Sequence, residues 1–136
     1  MDITTVHQAI RRCEIFGGLD EAHIDFLVKN GQPKNFPEGS TIYQKGEPAD
    51  GTFCLLVSGN VNIISERSEE LYSIGAGSIL GEIGTISPQT KRTITVRAAV
   101  PVEVVEWDFE EIEKELPELF EKLRDLARER TLNWYY

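Results

Sequence analysis

The chain is short of several things. Its 136 residues hold two cysteines and two histidines, and 14 Lys and Arg face 23 Asp and Glu, for a formal charge of −9. The shortage of positive charge argues against a general nucleic-acid binder, because a phosphate backbone needs a basic footprint. It also argues against docking on anionic membranes. A small anion stays open, provided that one local spot is basic. Cys13 and Cys54 lie far apart, each inside an apolar stretch. They read as buried free thiols rather than a disulfide, which fits a reducing compartment. No apolar run approaches the roughly 18 residues of a membrane span. The N-terminus, Met1-Asp2-Ile3-Thr4-Thr5, lacks the basic segment and apolar core of a secretory signal. The cytoplasm is the expected location. His7 and His23 fall on predicted N-terminal helices, the cysteines have no metal spacing, and the serines are far from either histidine. Neither a metal centre nor a nucleophile–base pair is supported, so no enzyme is expected, and no resident cofactor or metal.

The length suits a single domain, 1–136, in three stretches. Residues 2–31 read as helices. Asp2 is placed to cap the first, with Ile3, Val6, Ile10 and Cys13 at helical spacing. Ile15-Phe16-Gly17-Gly18-Leu19 breaks it. Asp20 starts a second helix carrying Ile24, Leu27 and Val28, and Asn30-Gly31 stops it. Residues 32–107 read as short strands and tight turns: Thr41–Gln44, Thr52–Val57, Asn60–Ser65 after a Ser58-Gly59 hairpin, Leu71–Ile74, Thr93–Ala98 and Val102–Trp107. Strands of this number and spacing predict a β-barrel or sandwich. Residues 108–133 are helical again. Asp108 and Glu111 have capping-box spacing, Pro117 sits near a first turn, and Leu116, Leu119, Phe120, Leu123, Leu126 and Ala127 form an apolar stripe.

One window departs from the acidic background. From Leu71 to Val102 there is one carboxylate, Glu82, against Lys91, Arg92 and Arg97, together with Gly75, Gly77, Gly81 and Gly84. Glycines let backbone N–H groups approach a ligand. A helical turn starting near Gly81 would aim free N–H groups at an anion. The planar fork of Arg92 suits two phosphate oxygens. Ionised Glu82 is acceptor-only, so its partner should be a donor such as a sugar hydroxyl. One cation, one acceptor and a nest of N–H groups describe a site for a nucleotide monophosphate. The other reading of the same residues is a surface hairpin with a Glu82–Arg92 ion pair.

Gly81-Glu82-Ile83-Gly84, followed by Arg92-Thr93 and Thr95-Val96-Arg97-Ala98, resembles the phosphate-binding cassette of cyclic nucleotide-binding domains. The likeness extends over nearly the whole chain, and the gap from Glu82 to Arg92 matches that of the family's bacterial activators. The resemblance implies a mainly β fold, a β-barrel or jelly roll with N-terminal helices and C-terminal lid or dimer helices, the cassette covering residues 77–98. It implies cyclic AMP or cyclic GMP as ligand. Arg92 would hold the exocyclic phosphate oxygens, Thr93 would add a backbone N–H and a hydroxyl, and Glu82 would accept from the ribose 2′-hydroxyl. The backbone of Gly81, Ile83 and Gly84 would line sugar and phosphate. Ile74, Leu80, Lys91 and Trp134 are candidates for the pocket wall or lid.

Thr85 and Ile86 depart from the larger apolar residues that the family often carries after the cassette's glycine. Only 29 residues follow Trp107, and they are acidic, so no DNA-binding domain of the activator type is expected after them. The expected function is a regulatory or sensor domain for a cyclic nucleotide, with an unknown effector and the C-terminal helix as a candidate homodimer seam. The rival is a nucleotide-independent interaction module that keeps the fold.

Overall fold

The computed structural model describes residues 1–64, 69–85, 92 and 94–134, with the backbone alone for 70, 71 and 131–134. The N-terminal helices form where their caps predict. α1 (Ile3–Arg12) starts with the Asp2 carboxylate accepting from the Thr5 N–H at 2.7 Å, and α2 (Glu21–Asn30) with Asp20 accepting from His23 N–H at 2.9 Å. Val6, Ile10 and Cys13 are buried as their spacing implies, but Ile3 is 72% exposed. Periodicity fixes the face of a helix, not how far along it the core reaches. A 3₁₀ turn, Glu14–Phe16, joins the two helices.

Eight strands follow among the described residues: β1 (Gln32–Phe36), β2 (Thr41–Tyr43), β3 (Thr52–Ser58), β4 (Asn60–Ile64), β5 (Glu70–Gly75), β6 (Ile79–Leu80), β7 (Thr95–Ala98) and β8 (Val102–Asp108). They form two antiparallel four-stranded sheets, β1-β8-β3-β6 and β2-β7-β4-β5. The mainly β architecture with flanking helices is the one expected. β1 and β6 were not anticipated. β1 carries Pro33 and mostly exposed side chains and lies at a sheet edge, where proline is tolerated. β6 is only two residues long. The expected ends of two strands, Ser65 and Thr93, lie outside the described residues.

β3 explains how the layers join. Phe53 and Leu55 face the helices, while Cys54 and Leu56 face the opposite sheet. All four are at most 1% exposed. A strand buried on both faces reads as a continuous apolar run, as Thr52–Val57 does. β8 behaves alike, with Val105 and Trp107 toward the helices and Val102 and Val104 toward the sandwich. Gly31 lies so close to β8 that a methyl there would sit 2.4 Å from Val105 Cγ1. The Trp107 indole N–H donates to the Leu27 carbonyl beside it, at 2.9 Å.

α3 (Phe109–Glu115) and α4 (Pro117–Trp134) close the fold. The capping box expected at Asp108 does not form. Asp108 is still the last residue of β8, paired with Thr52, and the Phe109 N–H is taken by the Gly51 carbonyl. The α4 stripe is spent inside the chain: Leu116, Leu119, Phe120, Leu123 and Ala127 are buried, and Leu126 is partly so, against the helical core. Glu118, Glu121, Asp125 and Arg128 face outward, so that apolar stripe is not left over as a dimer seam. Both cysteines are free and buried. No helix among the described residues is long and apolar enough to cross a membrane.

Candidate functional site

The cassette begins where β6 leaves its pairing with β3, Leu80 opposite Cys54. The chain then turns through Gly81 at φ +86° into a 3₁₀ turn, Glu82–Thr85. This is the helical turn that the glycines predict. Two constraints demand glycine at 81. The backbone lies in the left-handed region, and a methyl would sit 3.0 Å from Tyr43 Oη and 3.2 Å from Arg92 Nη1. The Thr85 hydroxyl donates to the Glu82 carbonyl at 2.7 Å.

Arg92 comes to Gly81 through the loop after β2. Its N–H donates to the Glu47 carbonyl at 2.8 Å, and its carbonyl accepts from the Gly46 N–H at 2.9 Å. Its side chain is 10% exposed. Nη2 donates to Asp50 Oδ1 at 2.8 Å and, at 3.4 Å, to Thr52 Oγ1, while Nη1 donates to the Thr52 carbonyl at 3.4 Å. The guanidinium lies over the Tyr43 ring, Cζ 3.9 Å from its centroid. Among the described residues none accepts from its Nε–H. Burial pushes the Asp50 carboxyl up, but the hydrogen bond from Thr52 and the Arg92 charge outweigh it and leave it below its ordinary value. A cavity of about 270 Å³ opens beside this group, lined among others by Lys34, Phe36, Tyr43, Asp50, Arg92 and Glu106.

Glu82 does not pair with Arg92. It is 1% exposed and meets Arg130 of α4, whose Nη1 lies 2.9 Å from Oε1. The same Nη1 donates to the Ile79 carbonyl at 2.5 Å. The contact with Glu82 is therefore an ion pair by distance rather than an aligned hydrogen bond, since Oε1 has no partner of good geometry. Burial raises the Glu82 carboxyl above its ordinary value, with Arg130 opposing. The hairpin reading of a Glu82–Arg92 pair is thereby corrected: each charge has its own partner from a different element.

The other expected residues are placed as follows. Ile83 is half-buried. Gly84 backs onto α3, where a methyl would meet Phe109 Cε2 at 2.6 Å. Leu80 is wholly inside the inter-sheet core. Ile74 is opposite Val61 on β4 and only partly buried. Lys91 and Thr93 lie outside the described residues, and so does the side chain of Trp134, the last residue of α4.

Sequence reasoning missed Tyr43, Asp50, Tyr72 and Arg130. Tyr72 is opposite buried Ile63, on the same inner face as Ile74, yet 40% exposed. Part of the inner face of β5 is thus exposed. Asp50 looked like an ordinary turn residue, and Arg130 like one of the charges on a helix face. The one available signal was indirect: a carboxylate in an apolar setting needs a cation.

Among the described residues, potential metal ligands come together on the N-terminal helices. His7, Glu21 and Asp25 bring one ligand atom each within 4.8 Å on the surface of α1 and α2. Glu21 is already paired there with Arg11 and His7, so side chains rather than an ion balance it.

Known proteins share this architecture. A family model described as cyclic nucleotide-binding domain matches residues 33–118. Over 129 residues the chain is 32% identical to a CRP-like cAMP-activated global transcriptional regulator of Mycobacterium tuberculosis, covering 89% of this chain and 57% of the regulator. It thus spans little more than half of that relative's length. A solved structure of cAMP-bound PfPKA-R superposes with a TM-score of 0.82 and 19% identity, over 98% of this chain and 45% of that one. The regulatory subunit of a cAMP-independent protein kinase A from Trypanosoma brucei follows with 0.78 and 17% identity, over 96% and 46%. At these identities the structural likeness speaks for the fold.

Proposed function

Because the chain belongs to the cyclic nucleotide-binding domain family, we propose that it binds cyclic AMP or cyclic GMP and acts as a regulatory, sensing domain rather than as an enzyme. The observation that carries this reading is the convergence at Gly81. A glycine backbone turned for close approach lies against the guanidinium of Arg92, in a chain of net charge −9. Arg92 would donate from Nε and Nη1 to the exocyclic oxygens of the cyclic phosphate, charge-assisted bonds at short range. Thr93 would add its N–H and hydroxyl. Gly81, Ile83 and Gly84 would line the sugar and phosphate with backbone. Glu82 would accept the ribose 2′-hydroxyl on the carboxylate oxygen that Arg130 leaves. Ile74 supports the reading as a wall for sugar or base, and Tyr72 joins it on the same face. Such a domain works by binding its ligand more tightly in one of two states, with α4 as the element that senses the difference through Arg130.

A second reading has its own support. Both charged anchors already have protein counter-charges, Asp50 and Arg130, so the site balances its charge without a ligand, as a nucleotide-independent interaction module requires. Calorimetric titration of the purified chain with cyclic AMP and with cyclic GMP separates the two. Saturable binding of either is the expected result and ranks the two ligands. No heat from either at millimolar concentration would leave the interaction module standing.

A further inference from the structure

The binding mode above depends on one long side chain. Of the contacts that hold the Arg92 guanidinium, the polar ones are one ion pair open to solvent on the Asp50 side and two long hydrogen bonds. The Asp50 side chain is 58% exposed, so water and salt screen its ion pair. Both Thr52 contacts are 3.4 Å long, at the outer limit of a hydrogen bond. The Tyr43 ring is different. Tyr43 is 8% exposed, and its centroid is 3.9 Å from Arg92 Cζ, well inside the roughly 6 Å over which an aromatic face attracts a cation.

The ring is itself fixed. Tyr43 pairs with Val96 across β2 and β7 and packs in the inter-sheet core. Its hydroxyl donates to Cys54 Sγ at 3.5 Å. The same hydroxyl flanks Gly81, so one side chain touches both halves of the cassette. The geometry also suits the task. A cation held over a ring uses its face and none of its N–H donors, which point outward in the guanidinium plane.

We propose that Tyr43 is a positioning residue for phosphate binding. Its ring is the shelf that keeps the Arg92 guanidinium in place in the ligand-free chain, so that a nucleotide does not have to order it. This rests on the reading that Arg92 receives the cyclic phosphate.

The test compares Tyr43→Phe, which keeps the ring, with Tyr43→Leu, which removes it and stays apolar. Calorimetry with cyclic AMP and cyclic GMP should find Tyr43→Phe within about twofold of the unmodified chain, and Tyr43→Leu weaker by about tenfold, equivalent to about 1.4 kcal/mol. In an Arg92→Ala background the Phe and Leu variants should bind equally, because the shelf then has nothing to hold. In the free protein, the Arg92 side-chain NMR signals should carry the ring-current shift with Tyr or Phe at 43 and lose it with Leu. Binding by Tyr43→Leu within twofold of Tyr43→Phe would overturn the proposal. So would an equal loss with and without Arg92, which would mark a merely structural role. Failure of the unmodified chain to bind either nucleotide would instead overturn the reading beneath it, and the proposal with it.

Discussion

Arg92 and Glu82 stand ten residues apart, carry opposite charges, and are each held by another part of the chain. For Arg92 the consequence is a direct prediction. Arg92→Ala should weaken cyclic nucleotide binding at least tenfold, because a hydrogen bond to a charged group is worth roughly 1.5–3 kcal/mol and tenfold is about 1.4. Calorimetry checks it, and unchanged affinity would remove Arg92 from the site. For Glu82 the consequence is a pH dependence. Burial holds its folded-state carboxyl above the ordinary value of 4.5. Between those two values the unfolded chain has released the proton and the folded chain keeps it. Stability from this residue therefore falls as pH rises through that window. Thermal melts should show the unmodified chain losing ground to Glu82→Gln, which cannot titrate, as pH climbs from about 4.5. A pH-independent gap would contradict this. Gly81, Glu82 and Arg92 were legible in the sequence because glycine and charge stand out in an apolar, acid-poor window. Asp50 and Arg130 were not. A partner 42 or 48 positions away leaves no local mark on either residue.

At the scale of elements, α4 has two jobs. Its apolar side completes the helical core, and near its end Arg130 reaches over the cassette to Glu82 and to the carbonyl of Ile79. Removing that arginine should leave a buried carboxylate without its cation, which typically costs about 3 kcal/mol. Chemical denaturation of Arg130→Ala should show this loss. Glu82→Gln in the same background should restore most of it, leaving about 1 kcal/mol for the lost bond to Ile79. If the second substitution restores nothing, the pair does not couple α4 to the cassette. The helices were readable because their caps and stripes are local patterns. Of the edge strands, β1 and β6 were not: β6 has two residues, and β1 has Pro33 and little alternation and exists only because β8 lies beside it. The failed cap at Asp108 has the same root: sheet pairing with Thr52 outranked a local preference.

For the whole molecule, the charge of −9 becomes a matter of approach. Much of the acid lies in the closing helices, while the window from Leu71 to Val102 has only Glu82. An anionic ligand must cross a repulsive field to reach a buried cation, and salt screens the field more than the buried contact. Stopped-flow with a fluorescent cyclic nucleotide should show association speeding up between about 20 and about 200 mM salt. A slowdown would mean that long-range attraction steers the ligand.

The core shared by both ends of the chain bears on how the protein is made. Ile10 and Leu27 near the start, Leu55 and Val105 in the sheets and Leu123 near the end belong to one apolar cluster. β3 pairs with β8 through Leu55 and Val105, a contact that waits for more than a third of the chain. A ribosome delivers residues in order, at about 5–20 per second. The first helices leave the exit tunnel with their apolar faces uncovered and stay so until α4 follows them. Folding of this domain consequently waits for α4 and does not proceed helix by helix.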